Sequence, residues 1–275
     1  MALNNRLIRM RKAWDTLARG RGMSLSERAR WMRQWLPMGV RTVGYGTVSL
    51  TLGPLTKERR ASLWAMRRWS QGCLASVNIQ ATAYGADNVP EGGFVFASNH
   101  QSLLDVVVLG ATLPGDFKWA AKRSLMAIPF LGWHLKLAGH VPVDRELGKR
   151  AAAEVIHRFE AVLRSGKPLL VFPEGTRSET GEVKEFKNGG FYAAVRAGRP
   201  VVPVALDGAT ELLSKGELAM GPLASERRRV VVMIGKPIEP PTEGSEKERV
   251  EALRDRTRDA VVLLHKEARM RRLGS

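Results

Sequence analysis

Residues 94–113, FVFASNHQSLLDVVVLGATL, contain the pattern that decides the fold. The run Phe94–Ala97 is short and apolar, which is typical of a buried strand, and Leu103–Leu113 has the pattern of a helix. A polar turn joins the two. Further strand-like runs alternate with helical stretches along the chain. This alternation predicts an α/β domain, in which helices flank one mixed sheet.

Seven short apolar or β-branched runs are predicted to be strands: Val77–Ala83, Phe94–Ala97, Lys118–Ala121, Val141–Val143, Leu169–Phe172, Val201–Leu206 and Val230–Ile234. The predicted helices are Lys57–Ser76, Leu103–Leu113, Gly148–Ser165, Gly189–Ala197 and Glu246–Leu273. We expect the last helix to pack on the domain. Residues 57–275 therefore form the predicted domain, and residues 1–56 form a separate N-terminal segment.

The N-terminal segment is basic and amphipathic. Leu3, Leu7, Met10, Trp14 and Leu17 share one helical face, and a second helix is predicted after Ser24, with Glu27 completing a capping box and Trp31, Trp35 and Leu36 as apolar residues. Pro37–Pro54 is interpreted as a loop, a linker or a re-entrant piece. Basic residues beside Trp and Leu favour a helix lying among lipid headgroups, with packing on the core or on a partner as the alternative.

Composition limits the classes of partner. The chain has 44 Lys and Arg against 27 Asp and Glu, a net charge of +17, which attracts nucleic acid, anionic lipid or a phosphorylated substrate. The single cysteine, Cys73, excludes an internal disulfide framework and a cysteine-rich zinc site. We find no secretory signal, no stretch of about 20 apolar residues that could span a membrane, no metal-ligand spacing and no P-loop or dinucleotide fingerprint. No metal or organic cofactor is therefore expected.

The candidate catalytic motif is Asn99–Asp105, which places Asp five residues after His100. On one helix the two side chains would be about 140° apart. They can meet if His100 lies in the turn before the helix and Asp105 lies one turn inside it. Asp105 could then fix the tautomer, and the other ring nitrogen could take a proton from a hydroxyl. A histidine that caps the helix or packs in the core is the alternative, because this spacing alone arises easily by chance.

Two more segments place arginine just beyond a predicted strand. Arg145 ends the run 138–145, AGHVPVDR, and Arg177 lies in 171–178, VFPEGTRS. Open α/β sheets bind ligands at strand ends, and arginine suits phosphate through bidentate hydrogen bonds. Gly175 leaves room for close backbone approach.

With these blocks the chain resembles the glycerolipid acyltransferases typified by 1-acyl-sn-glycerol-3-phosphate acyltransferase. Four segments match in order: Asn99–Asp105, Gly139–Arg145, Phe172–Ser178 and Val202–Leu206. The segment 122–133, KRSLMAIPFLGW, is typical of the lysophosphatidate branch. The resemblance covers roughly Val77 to Lys236.

The resemblance implies roles for individual residues. It implies that His100 and Asp105 are the catalytic pair, that Arg145 and Glu174 contact the acceptor, that Gly175, Thr176 and Arg177 shape the same site, and that Lys122 is a second phosphate ligand. The implied reaction moves a fatty acyl group from acyl-CoA or acyl-carrier protein to the sn-2 hydroxyl of 1-acyl-sn-glycerol-3-phosphate, without an acyl-enzyme. The product is phosphatidic acid, in phospholipid biosynthesis.

Other acceptors, such as glycerol-3-phosphate or another lyso-lipid, would use the same chemistry. A non-enzymatic basic protein that binds membrane or nucleic acid is a more remote alternative, and it leaves the His100 and Glu174 blocks unexplained. We expect no nucleic-acid partner and a peripheral or monotopic location at the cytoplasmic face of an anionic membrane. The sequence leaves open the acyl donor, the acyl-chain length and the oligomeric state.

Overall fold

A seven-stranded sheet organises the part of the chain that the computed structural model describes, which is residues 24–144, 149–217, 219–220 and 228–274. The strands are β1 (Ile79–Tyr84), β2 (Val95–Ser98), β3 (Lys118–Lys122), β4 (Val141–Val143), β5 (Leu169–Val171), β6 (Val201–Asp207) and β7 (Arg228–Ile234). Their order is β1-β7-β6-β2-β5-β3-β4. All neighbours are parallel except β6 and β7, which are antiparallel. The predicted mixed sheet is confirmed.

Helices cover both faces of this sheet. They are α1 (Leu25–Leu52), α2 (Arg60–Ser76), α3 (Leu104–Thr112), α4 (Leu131–Leu137), α5 (Lys149–Arg164), α6 (Gly189–Ala197), α7 (Ala209–Leu212) and α8 (Glu246–Leu273). Short 3-10 turns occupy Gly53–Leu55, Lys57–Arg59, Ala86–Asn88 and Arg123–Ala127. Residues of α2 and α3 belong to one core cluster, and residues of α5, α6 and α8 belong to a second. A small third cluster joins Val231 and Met233 of β7 to Ala268 of α8.

The position of strand β2 in the sheet explains why its sequence does not alternate between apolar and polar residues. Phe96 points into the cluster under α2 and α3, whereas Val95 and Ala97 point into the cluster under α5, α6 and α8. Successive side chains of a strand face opposite sides, so a strand covered on both faces needs apolar residues at every position. β2 is therefore central, and the polar turn that follows it emerges from the middle of the sheet.

The prediction of a loop, linker or re-entrant piece over Pro37–Pro54 is wrong, because α1 continues through Pro37 to Leu52. Proline and glycine weaken an isolated helix, but packing supplies most helical stability in a folded protein. Met38 is buried in the core cluster under α2. The Trp69 indole donates to Thr42 Oγ1 at 2.9 Å, and Ser49 Oγ donates to Ser62 Oγ at 2.9 Å. Contacts with α2 therefore hold α1 helical across its proline.

The helix predicted around Leu3–Leu17 lies outside the described residues. The second predicted helix begins as expected, with Leu25 directly after Ser24. In the part of the chain that the structure describes, none of the helices has both the length and the apolar character needed to cross a membrane.

Candidate active site

The predicted site residues gather at one edge of the sheet. Strands β2 to β6 all run in the same direction, so their carboxyl ends share this edge. His100 follows β2, Lys122 ends β3 and Glu174 follows β5. Lys122 is exposed there. Arg145, the predicted residue after β4, lies outside the described residues.

The structure brings His100 and Asp105 together. His100 lies in the turn between β2 and α3, and Asp105 lies in the first turn of α3. His100 Nδ1 is 2.7 Å from Asp105 Oδ2. The Asp105 side chain is fully buried, whereas the His100 side chain remains 12% exposed. The pair therefore has one shielded member and one member that a substrate can reach.

Asp105 is held by the start of its own helix. Its Oδ2 accepts hydrogen bonds from the backbone N–H groups of Gln101 (2.6 Å) and Ser102 (2.9 Å), besides the His100 ring. A carboxylate at a helix N-terminus is favoured by these donors and by the helix dipole. Because the carboxylate only accepts, Nδ1 of His100 must carry the hydrogen. In the neutral imidazole the second ring nitrogen, Nε2, then presents a lone pair.

An aromatic side chain fixes the plane of the imidazole. Phe172, directly after β5, stacks on His100 with ring centroids 4.0 Å apart and an angle of 15° between the planes. Together with the Asp105 hydrogen bond, this contact restricts both the position and the rotation of the ring. Phe172 belongs to a segment that the sequence singled out, but its apolar ring carried no chemical signal.

Glu174 contacts His100 through the backbone. Its Oε1 accepts from the His100 N–H at 3.0 Å, and its side chain is buried. Burial raises the pKa of Glu174 to about 7, against the lowering effect of the His100 hydrogen bond, and nearby Asp105 raises it further. The structure thus shows Glu174 as a support for the turn that carries His100. Its predicted contact with the acceptor remains a prediction.

The turn after β5 contains the remaining predicted residues. Gly175 adopts a φ of +73°, a conformation that side chains with a Cβ disfavour, and its N–H donates to Phe172 O at 3.0 Å. Thr176 is exposed. Arg177 is half-buried, and its Nη1 has no hydrogen-bond acceptor among the described residues. This Nη1 atom is buried, so it is a guanidinium donor without a partner, and such a donor suits an anionic group.

Two further links hold the His100 turn, one to strand β6 and one to the segment after β5, and sequence reasoning gave neither a role. The Asn99 amide donates to Leu206 O at 3.0 Å and accepts from Leu206 N at 2.9 Å, so it joins the His100 turn to β6. Ser178 N donates to His100 O at 2.7 Å. Asn99 stands beside His100 in the quoted motif, but its partner is distant in sequence. Across the described residues, no group of three or more His, Cys, Asp or Glu side chains is arranged to hold a metal ion.

Residues 80–207 match the protein-family model described as Acyltransferase. This range contains the strands β2 to β6 and every predicted site residue. The fold and the site therefore define an acyltransferase.

Individual relatives narrow this class. The 1-acyl-sn-glycerol-3-phosphate acyltransferase of Saccharomyces cerevisiae is 30% identical over 226 residues, covering 81% of this chain and 72% of that protein. The protein of the same name from Pseudomonas aeruginosa is 29% identical over 187 residues, covering 66% of this chain and 72% of its own. The crystal structure of the 1-acyl-sn-glycerophosphate (LPA) acyltransferase PlsC from Thermotoga maritima is similar with a TM-score of 0.72 and 27% identity, covering 87% of this chain and 94% of that one. The chain belongs to the 1-acyl-sn-glycerol-3-phosphate acyltransferase family, and the resemblance inferred from its sequence is confirmed.

Proposed function

We propose that this enzyme transfers a fatty acyl group from acyl-CoA or acyl-carrier protein to the sn-2 hydroxyl of 1-acyl-sn-glycerol-3-phosphate, which gives phosphatidic acid for phospholipid biosynthesis. The observation that carries the proposal is the His100–Asp105 pair, whose Nε2 lone pair lies at the carboxyl edge of the sheet. The names of the relatives support this acceptor.

His100 acts as the general base. Its Nε2 takes the proton of the acceptor hydroxyl while that oxygen attacks the thioester carbonyl, and the buried Asp105 carboxylate stabilises the imidazolium that forms. The new C–O bond forms, the C–S bond breaks, and the proton passes from His100 to the departing thiolate sulfur. Acyl donor and acceptor therefore react directly, and the base returns to its starting state.

Direct transfer agrees with the state of two side chains that could act as nucleophiles, Ser102 and Cys73. Ser102 Oγ donates to Leu213 O at 2.6 Å and is fully buried, so it is not free to attack a thioester. Burial raises the pKa of the Cys73 thiol to about 12, which keeps it protonated. Neither side chain is suited to form an acyl-enzyme.

Cationic groups at the same edge suit the acceptor phosphate. Arg177 Nη1 is a buried donor without an acceptor among the described residues, and Lys122 is exposed at the end of β3. The sequence adds Arg145 after β4. We assign these three residues to the phosphate, with Gly175 and Thr176 shaping the turn. Glu174 holds the His100 backbone by accepting a hydrogen bond from its N–H. We propose that no metal or organic cofactor takes part.

Helix α1 suits the surface of a membrane, where a lysolipid acceptor resides. Its exposed apolar stripe recurs at steps of three, four and seven residues, which places all members on one face: Leu25, Met32, Leu36, Val40 and Val43. Arg28 and Arg33 lie beside this stripe on the same helix and are exposed. We place the enzyme on the anionic cytoplasmic face of a membrane, with the stripe among the headgroups and acyl chains.

The first experiment measures transfer of a labelled acyl chain from acyl-CoA and from acyl-carrier protein to 1-acyl-sn-glycerol-3-phosphate in liposomes. It compares the wild type with His100→Ala and with His157→Ala, which changes an exposed histidine of α5. We expect phosphatidic acid from the wild type and from His157→Ala, and a loss of at least about a thousandfold in His100→Ala.

Activity retained by His100→Ala would refute the general-base role. A wild type that acylates glycerol-3-phosphate or another lyso-lipid faster than 1-acyl-sn-glycerol-3-phosphate would overturn the proposed acceptor and leave the chemistry in place.

A further inference from the structure

A buried polar chain reaches the His100 turn from α8, a helix that lies outside the residues matched by the acyltransferase family model. It runs from Gln101, next to His100, to His265 of α8 and on to Asp207 at the end of β6. All three side chains are buried. The Asp207 carboxylate and the His265 imidazole have no part in the proton transfer. Their burial beside the site therefore requires another explanation.

The orientation of the Gln101 amide is fixed by its surroundings. Its Nε2 lies 2.6 Å from the carbonyl oxygen of Gly181, which can only accept, so the nitrogen rather than the oxygen of the amide must face it. The second hydrogen of Nε2 then points to His265 Nε2, which is 2.8 Å away. His265 Nε2 therefore accepts this hydrogen bond with its lone pair.

The Asp207 carboxylate also contacts two arginines of α8. Arg272 Nε donates to Asp207 Oδ2 at 2.6 Å, and Arg269 Nε lies 3.4 Å from Asp207 Oδ1. His265 Nε2 is 3.2 Å from the same Oδ1. Two arginines of α8 thus balance the carboxylate, and they fix the C-terminal part of the helix against β6. This attachment sets the position of His265 relative to the sheet.

Gln101 transmits this position to the catalytic pair. Its backbone N–H donates to Asp105 Oδ2 at 2.6 Å, and its side chain is held by Gly181 and His265. Gln101 therefore contacts the Asp105 carboxylate through its backbone N–H and His265 of α8 through its side-chain amide. If the side chain lost its acceptor on α8, the backbone donor to Asp105 would shift with it.

We propose that His265 is a positioning residue for acyl transfer, which holds Gln101 so that the His100–Asp105 pair keeps its reactive geometry. This inference rests on the proposed function, because it assigns His265 a part in the same reaction. His265 touches neither substrate, so its loss lowers kcat and leaves the KM for the acceptor nearly unchanged. Asn99, Glu174 and Ser102 still hold the turn, so the loss is partial.

The test compares two amides of different reach. His265→Gln places a carbonyl oxygen where Nε2 lies, so it can accept from Gln101, whereas His265→Asn is one bond too short. Val261→Ala is the matched control, because Val261 is fully buried on the same helix and its apolar side chain packs in the core cluster under α5, α6 and α8. We expect kcat to fall about 10-fold to 100-fold in His265→Asn, and less than about 3-fold in His265→Gln and Val261→Ala, with KM within about 3-fold throughout.

Thermal unfolding of the three variants separates stability from positioning. Equal kcat values for the Asn and Gln variants, or an equal loss in Val261→Ala, would overturn the positioning role.

NMR of the protein labelled with 15N-histidine gives a readout besides activity. It observes the Nδ1 proton of His100 in its hydrogen bond to Asp105. We expect this signal to shift or broaden in His265→Asn and to stay in His265→Gln and Val261→Ala. If no variant and no wild type transfers acyl groups, the proposed function fails, and the NMR signal still decides whether His265 holds the turn.

Discussion

The Asp105 carboxylate holds both the His100 ring and the backbone of the turn that carries it. One oxygen accepts from the His100 ring and from two backbone N–H groups of the turn, so the same atom fixes the tautomer of His100 and the start of α3. An amide at this position could keep one acceptor oxygen but would lose the negative charge. Geometry and charge can therefore be separated by one substitution.

Asp105→Asn is predicted to lower kcat by about 10²-fold to 10⁴-fold, because a neutral amide stabilises the His100 imidazolium poorly. The KM for the acceptor should change little, since Asp105 is buried beneath His100. Steady-state kinetics in liposomes measure both constants. Asp255→Asn, an exposed carboxylate on α8, is the control. A loss below about 10-fold would mean that the charge of Asp105 contributes little to transfer.

The raised pKa of Glu174 predicts how the free energy of unfolding changes with pH. Folding raises its pKa from 4.5 to about 7, chiefly through burial. Between these values the folded state binds the proton more tightly, so this contribution to stability is present below about pH 4.5 and is lost as the pH rises through 7. Glu174→Gln does not titrate and keeps an acceptor oxygen for His100 N.

The free energy of unfolding of Glu174→Gln should therefore rise relative to the wild type by up to roughly 3 kcal/mol between pH 4.5 and pH 8. Urea unfolding at several pH values measures this difference. A difference that stays constant across the range would show that Glu174 does not change its protonation in the folded protein.

At the scale of elements, the polar contact between α1 and α4 contains a buried histidine, His134. His134 Nδ1 is 2.7 Å from Ser49 Oγ, and His140 and Lys118 lie nearby. Burial, with a smaller effect of Lys118, lowers the pKa of His134 to about 4. The unfolded chain takes up a proton below about pH 6.5 while the folded chain does not, so stability is lost as the pH falls from 6.5 toward 4.

His134→Gln is predicted to reduce this acid-induced loss of the free energy of unfolding, by up to roughly 3 kcal/mol at pH 4. The neighbouring His140, whose pKa burial also lowers, should leave part of the loss in place. Urea unfolding from pH 4 to pH 7 compares the two proteins. An unchanged pH dependence would place the titration elsewhere in the molecule.

The sequence predicted correctly the bounds of those helices and strands whose structure is determined by their own residues. β4 (Val141–Val143), α6 (Gly189–Ala197) and α8 (Glu246–Leu273) have the predicted bounds, because apolar runs or periodicity end at clear breaks. In α8 the observed cap is a Ser245–Glu248 capping box. The segment Pro37–Leu52 could not be predicted, because contacts with α2 and α4 decide its structure and these depend on residues far along the chain.

The same division applies to the site. The position of His100 before α3 and of Asp105 inside it follows from a strand, a turn and a helix that adjoin in sequence. The Asn99–Leu206 and Gln101–His265 contacts join residues that are more than 100 positions apart, and only the order of the strands brings them together. Local pattern therefore predicts the contact between His100 and Asp105, and the topology of the sheet adds the residues that hold it.

At the scale of the whole molecule, the net charge of +17 and the apolar stripe of α1 predict how the protein meets a membrane. Binding to vesicles containing anionic lipid should weaken as salt rises, because screening shortens the reach of the charges. Leu36→Ser should weaken binding at every salt concentration. Leu263→Ser is the matched control, since these leucines are 66% and 67% exposed on different helices. Vesicle sedimentation measures both effects, and equal losses in the two variants would contradict a specific role of α1.

The first strand of the sheet has its partner near the other end of the chain, since Ile79 of β1 pairs with Arg228 of β7. On the ribosome, β1 emerges long before β7, so the hydrogen bonds between the two strands cannot form until β7 has been synthesised. Pairing over such a separation closes a large loop and is slow compared with local helix formation. The nascent protein thus completes its sheet only after β7 has been synthesised, and Gln101 gains its support from His265 later still.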